Sequence, residues 1–434
     1  MKLRRLLFIF SIIFFSKSFA LELSLRECKE MALNSDEDVR IAQNHIDQSK
    51  LDKGIATAAY LPKIDGMGTA LYLTPNSSMG DMMEIQMKGM YLAGFSLTQP
   101  IYVGGKIYNA NKLAKVGQEV AKEQYQAIRM DVLANAEKSY WMYVAVLSKI
   151  VMINSYIEQL DSIYNLTKSS YEIGMTSGIS LSRVETKRSE LSYRLRQAES
   201  GADLCRLALC RVIGVEDTTK IFPTENLSET FIYNDKFAGI DSSPELHLAQ
   251  KNIEAKRYDM KMILGDYLPT IGLQIGWNAF GNLKMKSMVE APDGNFYPYT
   301  STMTYNGLMG AISLSVPIFH WGEGYRKVKK AKLEIQNAEL SLEKNRKLLG
   351  LQAKQTFNNY NDGVELIKSA TTAFEEAQQN LELMQAQYEI GLITLTDLLE
   401  AQSQWHTSVS NLIEAKTQYR INRVEYLRVV GLLE

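Results

Sequence analysis

Asp397 and Glu400 stand three residues apart, a spacing that puts two carboxylates on one helix face. Like charges held close repel and favour cation binding or partial protonation. Both acids also follow Gly391 by only a few residues, so a plainer role stays open: acids in the first turns of a helix are favoured by its macrodipole. Gly174 and Gly391 each close a long helical tract and precede a new one, which predicts C′ glycines in a left-handed conformation. Other chemistry-bearing residues offer less. His45, His247, His320 and His406 share no ligand spacing, so no metal site is expected. Cys205 and Cys210 lie about 140° apart around a helix, which suits buried apolar residues better than a bridge; Cys28 is the third cysteine. Gly66-Met67-Gly68 and Gly322-Glu323-Gly324 lack the full phosphate-loop pattern, and His320-Trp321 reads as an interfacial or packing pair. No Ser/His/Asp or Cys/His arrangement stands out, so neither an enzyme nor a cofactor is expected.

The elements that must position these residues begin after a leader. Lys2, Arg4 and Arg5 precede the apolar run Leu6–Phe15, and Ser18-Phe19-Ala20 follows with small residues where a signal peptidase reads, so residues 1–20 are expected to be a cleaved secretory signal. The run is too short for the ~20 residues of a spanning helix, and no later apolar stretch is expected to form one. An exported chain that enters a membrane must then do so by strands. The 48 Lys+Arg and 49 Asp+Glu nearly cancel, which argues against nucleic acid as a partner. Few prolines and long tracts rich in Ala, Leu, Glu, Gln and Lys favour long helices.

A repeat organises the 434 residues. A shift of 207 carries Tyr60-Leu61-Pro62 onto Tyr267-Leu268-Pro269; a shift of 217 carries Pro100-Ile101 onto Pro317-Ile318 and Tyr171-Glu172-Ile173-Gly174 onto Tyr388-Glu389-Ile390-Gly391. The expected organisation is a first copy over 21–214, a connector over 215–242 and a second copy over 243–434. Each copy carries a strand pair, at about 62–101 and 269–318. Tyr91, Ala93, Phe95 and Leu97, then Ile271, Leu273, Ile275 and Trp277, then Ile312, Leu314 and Val316 alternate with small or polar residues, which predicts strands of about ten residues with one apolar face. The strand from Lys63 to Thr74 leaves two registers open: alignment to its counterpart turns Gly66 and Gly68 to the apolar face, whereas hydrophobicity favours Met67, Leu71 and Leu73. The remainder reads as helix. Gly104–Tyr171 and His320–Tyr388 lack proline and each predicts one helix of about 70 residues, ~100 Å long. Glu30–Tyr60 and Ser177–Ile213 predict shorter helices that together match one long helix. Leu398, Trp405, Leu412, Tyr419 and Tyr426 step by seven, the mark of a packing seam. Four strands cannot close a barrel, and an open edge in lipid costs several kcal/mol per unpaired group, so the chain must associate in a dimer, trimer or tetramer.

With these flanks, Tyr388-Glu389-Ile390-Gly391 followed by Leu395-Thr396-Asp397-Leu398-Leu399-Glu400-Ala401 resembles the TolC family of outer-membrane efflux proteins, over nearly the whole mature chain. The resemblance implies a mainly α fold with a small β part: a coiled-coil-like helical tunnel in the periplasm below a transmembrane β-barrel, four strands per chain and twelve in a homotrimer. It implies a passive outer-membrane exit duct that meets a periplasmic adaptor and an inner-membrane pump. The alternatives are the same duct serving type I protein secretion, or a periplasmic coiled-coil or adaptor protein without a barrel. It implies hairpin tips around Gly174, Gly391, Leu392 and Ile393 that meet the adaptor, with ordinary tip packing as the other reading of Leu392 and Ile393. It also implies that Asp397 and Glu400 line the narrowest point of the closed tunnel as an electrostatic gate. Ser180 stands where the first copy would carry a carboxylate and Ile393 where a bridging arginine is expected, which leaves Tyr388 to hydrogen-bond Ser180.

Overall fold

The computed structural model describes residues 20–74, 77–78, 83–227 and 235–434. All of the expected leader but Ala20, and the middle of the connector, lie outside them. The element order is β1 (Ala20–Leu23), α1 (Leu25–Ser35), α2 (Glu37–Ala58), β2 (Lys63–Tyr72), β3 (Ser77–Ser78), β4 (Met83–Gln86), β5 (Lys88–Val103), α3 (Lys106–Glu172), α4 (Gly178–Ile213), β6 (Lys220–Pro223), α5 (Pro244–Gly265), β7 (Thr270–Glu290), β8 (Phe296–Ser315), α6 (Glu323–Glu389) and α7 (Leu395–Val430). The long helices α3 and α6 both have 67 residues and the shorter α4 and α7 both have 36; each of the later pair begins 217 residues after its counterpart.

Two compact units emerge, one from Met1–Gln43, Glu123–His247 and Lys344–Glu434, the other from Asn44–Lys122 and Leu248–Glu343. In the second unit the strands form one sheet in which β2 pairs with β5, β5 with β7 and β7 with β8, all antiparallel. β4 continues the β5 side of β7. The sheet is therefore not two separate hairpins: its middle pair, β5 and β7, joins strands from different copies, and β2 and β8 are left as edges. The strands are also longer than expected, 21 residues in β7 and 20 in β8 against ten in β2. At about 3.3 Å per residue β7 approaches 70 Å, well beyond the ~25 Å apolar band of an outer-membrane barrel, and the surplus holds Lys284, Lys286 and Glu290.

Pairing settles the register of β2. Ile64 lies opposite Leu97, Gly66 opposite Phe95 and Gly68 opposite Ala93, so the glycines belong to the apolar face and Met67 to the other. Residue hydrophobicity loses here because the ladder to β5 fixes every second residue at once. The shared face runs on through Ile275 and Trp277 of β7 to Leu308, Ile312 and Leu314 of β8. Phe95 and Trp277 stack across strands at 5.4 Å. Among the described residues none covers this face at Ile64, Leu308 and Ile312, each more than 70% exposed. The opposite face carries Asp65, Ser96, Thr98, Gln274 and Asn278. Where β7 bulges, Asn282 takes φ 61° and donates from Nδ2 to the carbonyls of Lys88 and Gly89. At the turn from β8 into α6, Trp321 is exposed beside Phe319, and His320 meets the ring of Tyr267.

In the first unit the helices pack on a core of Tyr140, Trp141, Val144, Leu209, Cys210 and Cys28. β1 pairs in parallel with β6, and the Tyr140 hydroxyl donates to the Leu23 carbonyl at 3.1 Å and also bonds the Glu225 carboxylate. Glu225 in turn accepts from the Leu25 amide at the head of α1. The helical tract expected from Glu30 starts earlier, at Leu25, and is interrupted at Asp36, whose carboxylate accepts from the amides of Asp38 and Val39 and so starts α2 afresh. The heptad seam of α7 is buried or half-buried along its length, with Tyr419 and Tyr426 stacked on Tyr360 of α6. All three cysteines are free, with Cys28 and Cys210 buried. One helix among the described residues, α3, is long and apolar enough by composition to cross a membrane, contrary to expectation; its apolar residues Tyr140, Trp141, Val144 and Ile153 are accounted for by the core.

Candidate functional site

The ends of α3–α4 and α6–α7 bring most of the singled-out residues together. α6 ends in a Schellman motif: the Leu392 amide donates to the Gln387 carbonyl at 2.9 Å and the Gly391 amide to that of Tyr388 at 3.0 Å, with Gly391 at φ 74°. α3 ends the same way, Met175 donating to Ser170 and Gly174 to Tyr171, with Gly174 at φ 78°. A Cβ on either glycine would meet no atom within 4 Å, so the backbone angle alone calls for glycine.

The next helices begin differently. Thr394 caps α7: its amide and hydroxyl both donate to the Asp397 carboxylate, at 2.9 and 2.7 Å, and the Asp397 amide donates back to the hydroxyl. These bonds from Thr394 hold the Asp397 carboxyl below its ordinary pKa. At the head of α4 the cap residue Ser177 makes no side-chain cap bond, and the hydroxyl of Ser180, which the 217-residue shift matches to Asp397, lies 3.5 Å from that of Ser177. The plainer role of Asp397, as a helix-start acid, is therefore realised in full. Glu400 is exposed and lines, with Glu376, Asn380 and Ser403, an open groove between α6 and α7.

Tyr388 is half-buried against the cluster of Leu160, Val184, Leu381, Leu395 and Leu398, and among the described residues no hydrogen bond joins it to Ser180. Leu392 is exposed, as are Ile173, Met175, Ile179 and Ile390. Ile393 is not: it is half-buried on the same cluster, because the Schellman turn folds the chain back before the Thr394 cap. Of the two readings left open for Ile393, a contact with the adaptor or ordinary tip packing, its burial on this cluster fits the packing one.

Sequence reasoning passed over Arg183. Its Nη1 donates to the Thr396 hydroxyl at 2.5 Å, tying the first turns of α4 to those of α7. Arg183 and Thr396 share a groove with Ile179, Thr186, Lys187 and Leu399. The signal was present in the repeat, since the shift of 217 that pairs Ser180 with Asp397 pairs Arg183 with Glu400. Among the described residues no group of three or more His, Cys, Asp or Glu could hold a metal ion.

The profile of the outer membrane efflux protein family matches residues 29–207 and 240–432. The chain belongs to the outer membrane efflux protein family. Its place is accordingly the outer membrane, with the helical part in the periplasm. Outer membrane protein TolC of Escherichia coli is 25% identical over 43% of this chain, and that alignment spans 37% of TolC itself. Alkaline protease secretion protein AprF of Pseudomonas aeruginosa is 20% identical over 92% of this chain and 82% of its own length. In fold, the open state of the Neisseria gonorrhoeae MtrE outer membrane channel matches with a TM-score of 0.75 at 16% identity, covering 94% of this chain and 89% of that one. This outer membrane efflux protein thus shares its architecture with a known channel while differing from it at most positions.

Proposed function

We propose that three copies of this chain form a passive outer-membrane exit duct for small molecules, the outer part of a tripartite efflux system whose inner-membrane pump supplies the energy. The observation that carries the reading is the sheet: four strands with an uncovered apolar face and two unpaired edges, β2 and β8, a surface suited to lipid and complete only when neighbouring chains close it. Three sheets of this width give the twelve strands of one barrel. The equal lengths of α3 and α6, and of α4 and α7, support two copies over 21–214 and 243–434 with a connector over 215–242.

At the periplasmic end, Asp397 and Glu400 with Tyr388 and Ser180 form the gate, and the tips around Gly174 and Gly391, with Leu392 rather than Ile393 outermost, meet the periplasmic adaptor. Purified in detergent and added to planar bilayers, the protein is expected to be a trimer that opens ion-conducting channels. A mature protein that is monomeric and soluble in plain buffer would sink the proposal. The likeness to AprF, named for secretion of an alkaline protease, favours a second reading in which the same duct serves type I protein export. Deleting the gene separates the two: drug sensitivity marks the first, loss of a secreted protein the second.

A further inference from the structure

The two copies carry opposite charges at one position of the mouth. Arg183 lies nine residues after Gly174, and Glu400 nine after Gly391. The helices bearing them are equal in length and follow identical Schellman turns, so in an assembly that repeats α4 and α7 around an axis the two groups stand at one height. Both residues are exposed. Arg183 is oriented toward α7 by its bond to Thr396, next in sequence to Asp397. The nearest acid further along the same face of α4, Glu190, is already bridged to Lys187 at 3.0 Å and Arg194 at 2.6 Å. Asp397 is held in its cap, whereas among the described residues no ion pair engages Glu400.

We propose that Arg183 is a specificity-determining residue of the duct. Its guanidinium stands among the gate carboxylates, one for every two acids, and lowers the cation preference that Asp397 and Glu400 alone would impose. This rests on the trimeric-duct reading. The physical reason is range: opposite charges around a narrow mouth lie within a Debye length of about 10 Å at 0.1 M salt, so an ion entering it responds to their sum.

The test is the K⁺/Cl⁻ permeability ratio of full-length trimers in planar bilayers, from the reversal potential across a KCl gradient. Arg183→Gln is expected to raise the ratio several-fold and Arg183→Glu to raise it further. Arg183→Lys should keep the wild-type value, and the exchange Arg183→Glu with Glu400→Arg should return toward it. Arg183→Gln channels that keep the wild-type ratio would overturn the proposal, whether or not Glu400→Gln alters it. Should Arg183→Glu fail to assemble, the neutral Gln variant decides. A wild-type protein without conductance would instead remove the duct reading on which the proposal stands.

Discussion

Thr394 and Asp397 show how one carboxylate can secure the start of a helix. Because Asp397 accepts two bonds from Thr394, Asp397→Ala removes a complete capping box, and a loss of about 1 kcal/mol in stability is expected, readable as a lowered thermal midpoint. Glu400→Ala, exposed and outside the cap, should leave stability within about 0.5 kcal/mol of wild type while altering ion selectivity. A second titrating residue lies deeper. His406 packs on the ring of Tyr156 at 5.2 Å, and burial, then the charges of Arg194 and Lys187, hold its pKa below 6.5, with Glu190 opposing. The fold therefore favours neutral imidazole. As pH falls through 6.5 the unfolded chain gains a proton that the folded chain resists, so stability declines on acidification until the folded group also titrates. Melting curves between pH 7.5 and 5 are expected to show this decline in the wild type and a shallower one in His406→Phe.

At the scale of elements, the hairpin ends were legible because their rules are local. A glycine after a long apolar-periodic tract requires nothing distant, and both Gly174 and Gly391 adopt the left-handed angle. Gly391→Ala meets no neighbour, so its cost is backbone strain alone, about 1 kcal/mol, and protection of the last turn of α6 from hydrogen exchange should fall while the rest of the helix is unchanged. Where the reading of elements failed or stayed open between two alternatives, a distant partner or a competing cap decided. Asp36 breaks the first helical tract by capping α2 with its own carboxylate, a role that a polar residue inside a periodic stretch does not announce. β2 turns its glycines to the apolar face because β5 dictates the register. Ile393, one residue from exposed Leu392, is drawn onto Leu395 and Leu398.

At the scale of the whole molecule, the exposed apolar face of the sheet is unfavourable for a chain in water and favourable in lipid. Ile312→Lys places a charge on that face, where a lysine at the bilayer midplane costs about 2–4 kcal/mol. Assembly into membranes is expected to drop sharply, whereas Ser313→Lys, on the opposite side, should insert normally; partition into detergent or liposomes after refolding checks both.

By itself the sequence determined the lengths of α3, α4 and α6, the glycine ends of α3 and α6, and which residues of β5, β7 and β8 share an apolar face, because period and terminal chemistry act over a few residues. Only the tertiary structure decided that β5 pairs with β7 across the two copies, that Gly66 and Gly68 face outward, and that Arg183 reaches Thr396. Each of these depends on a partner strand or helix that the chain supplies far away or through other long-range contacts, and no local pattern records which of the permitted pairings gives the lowest free energy.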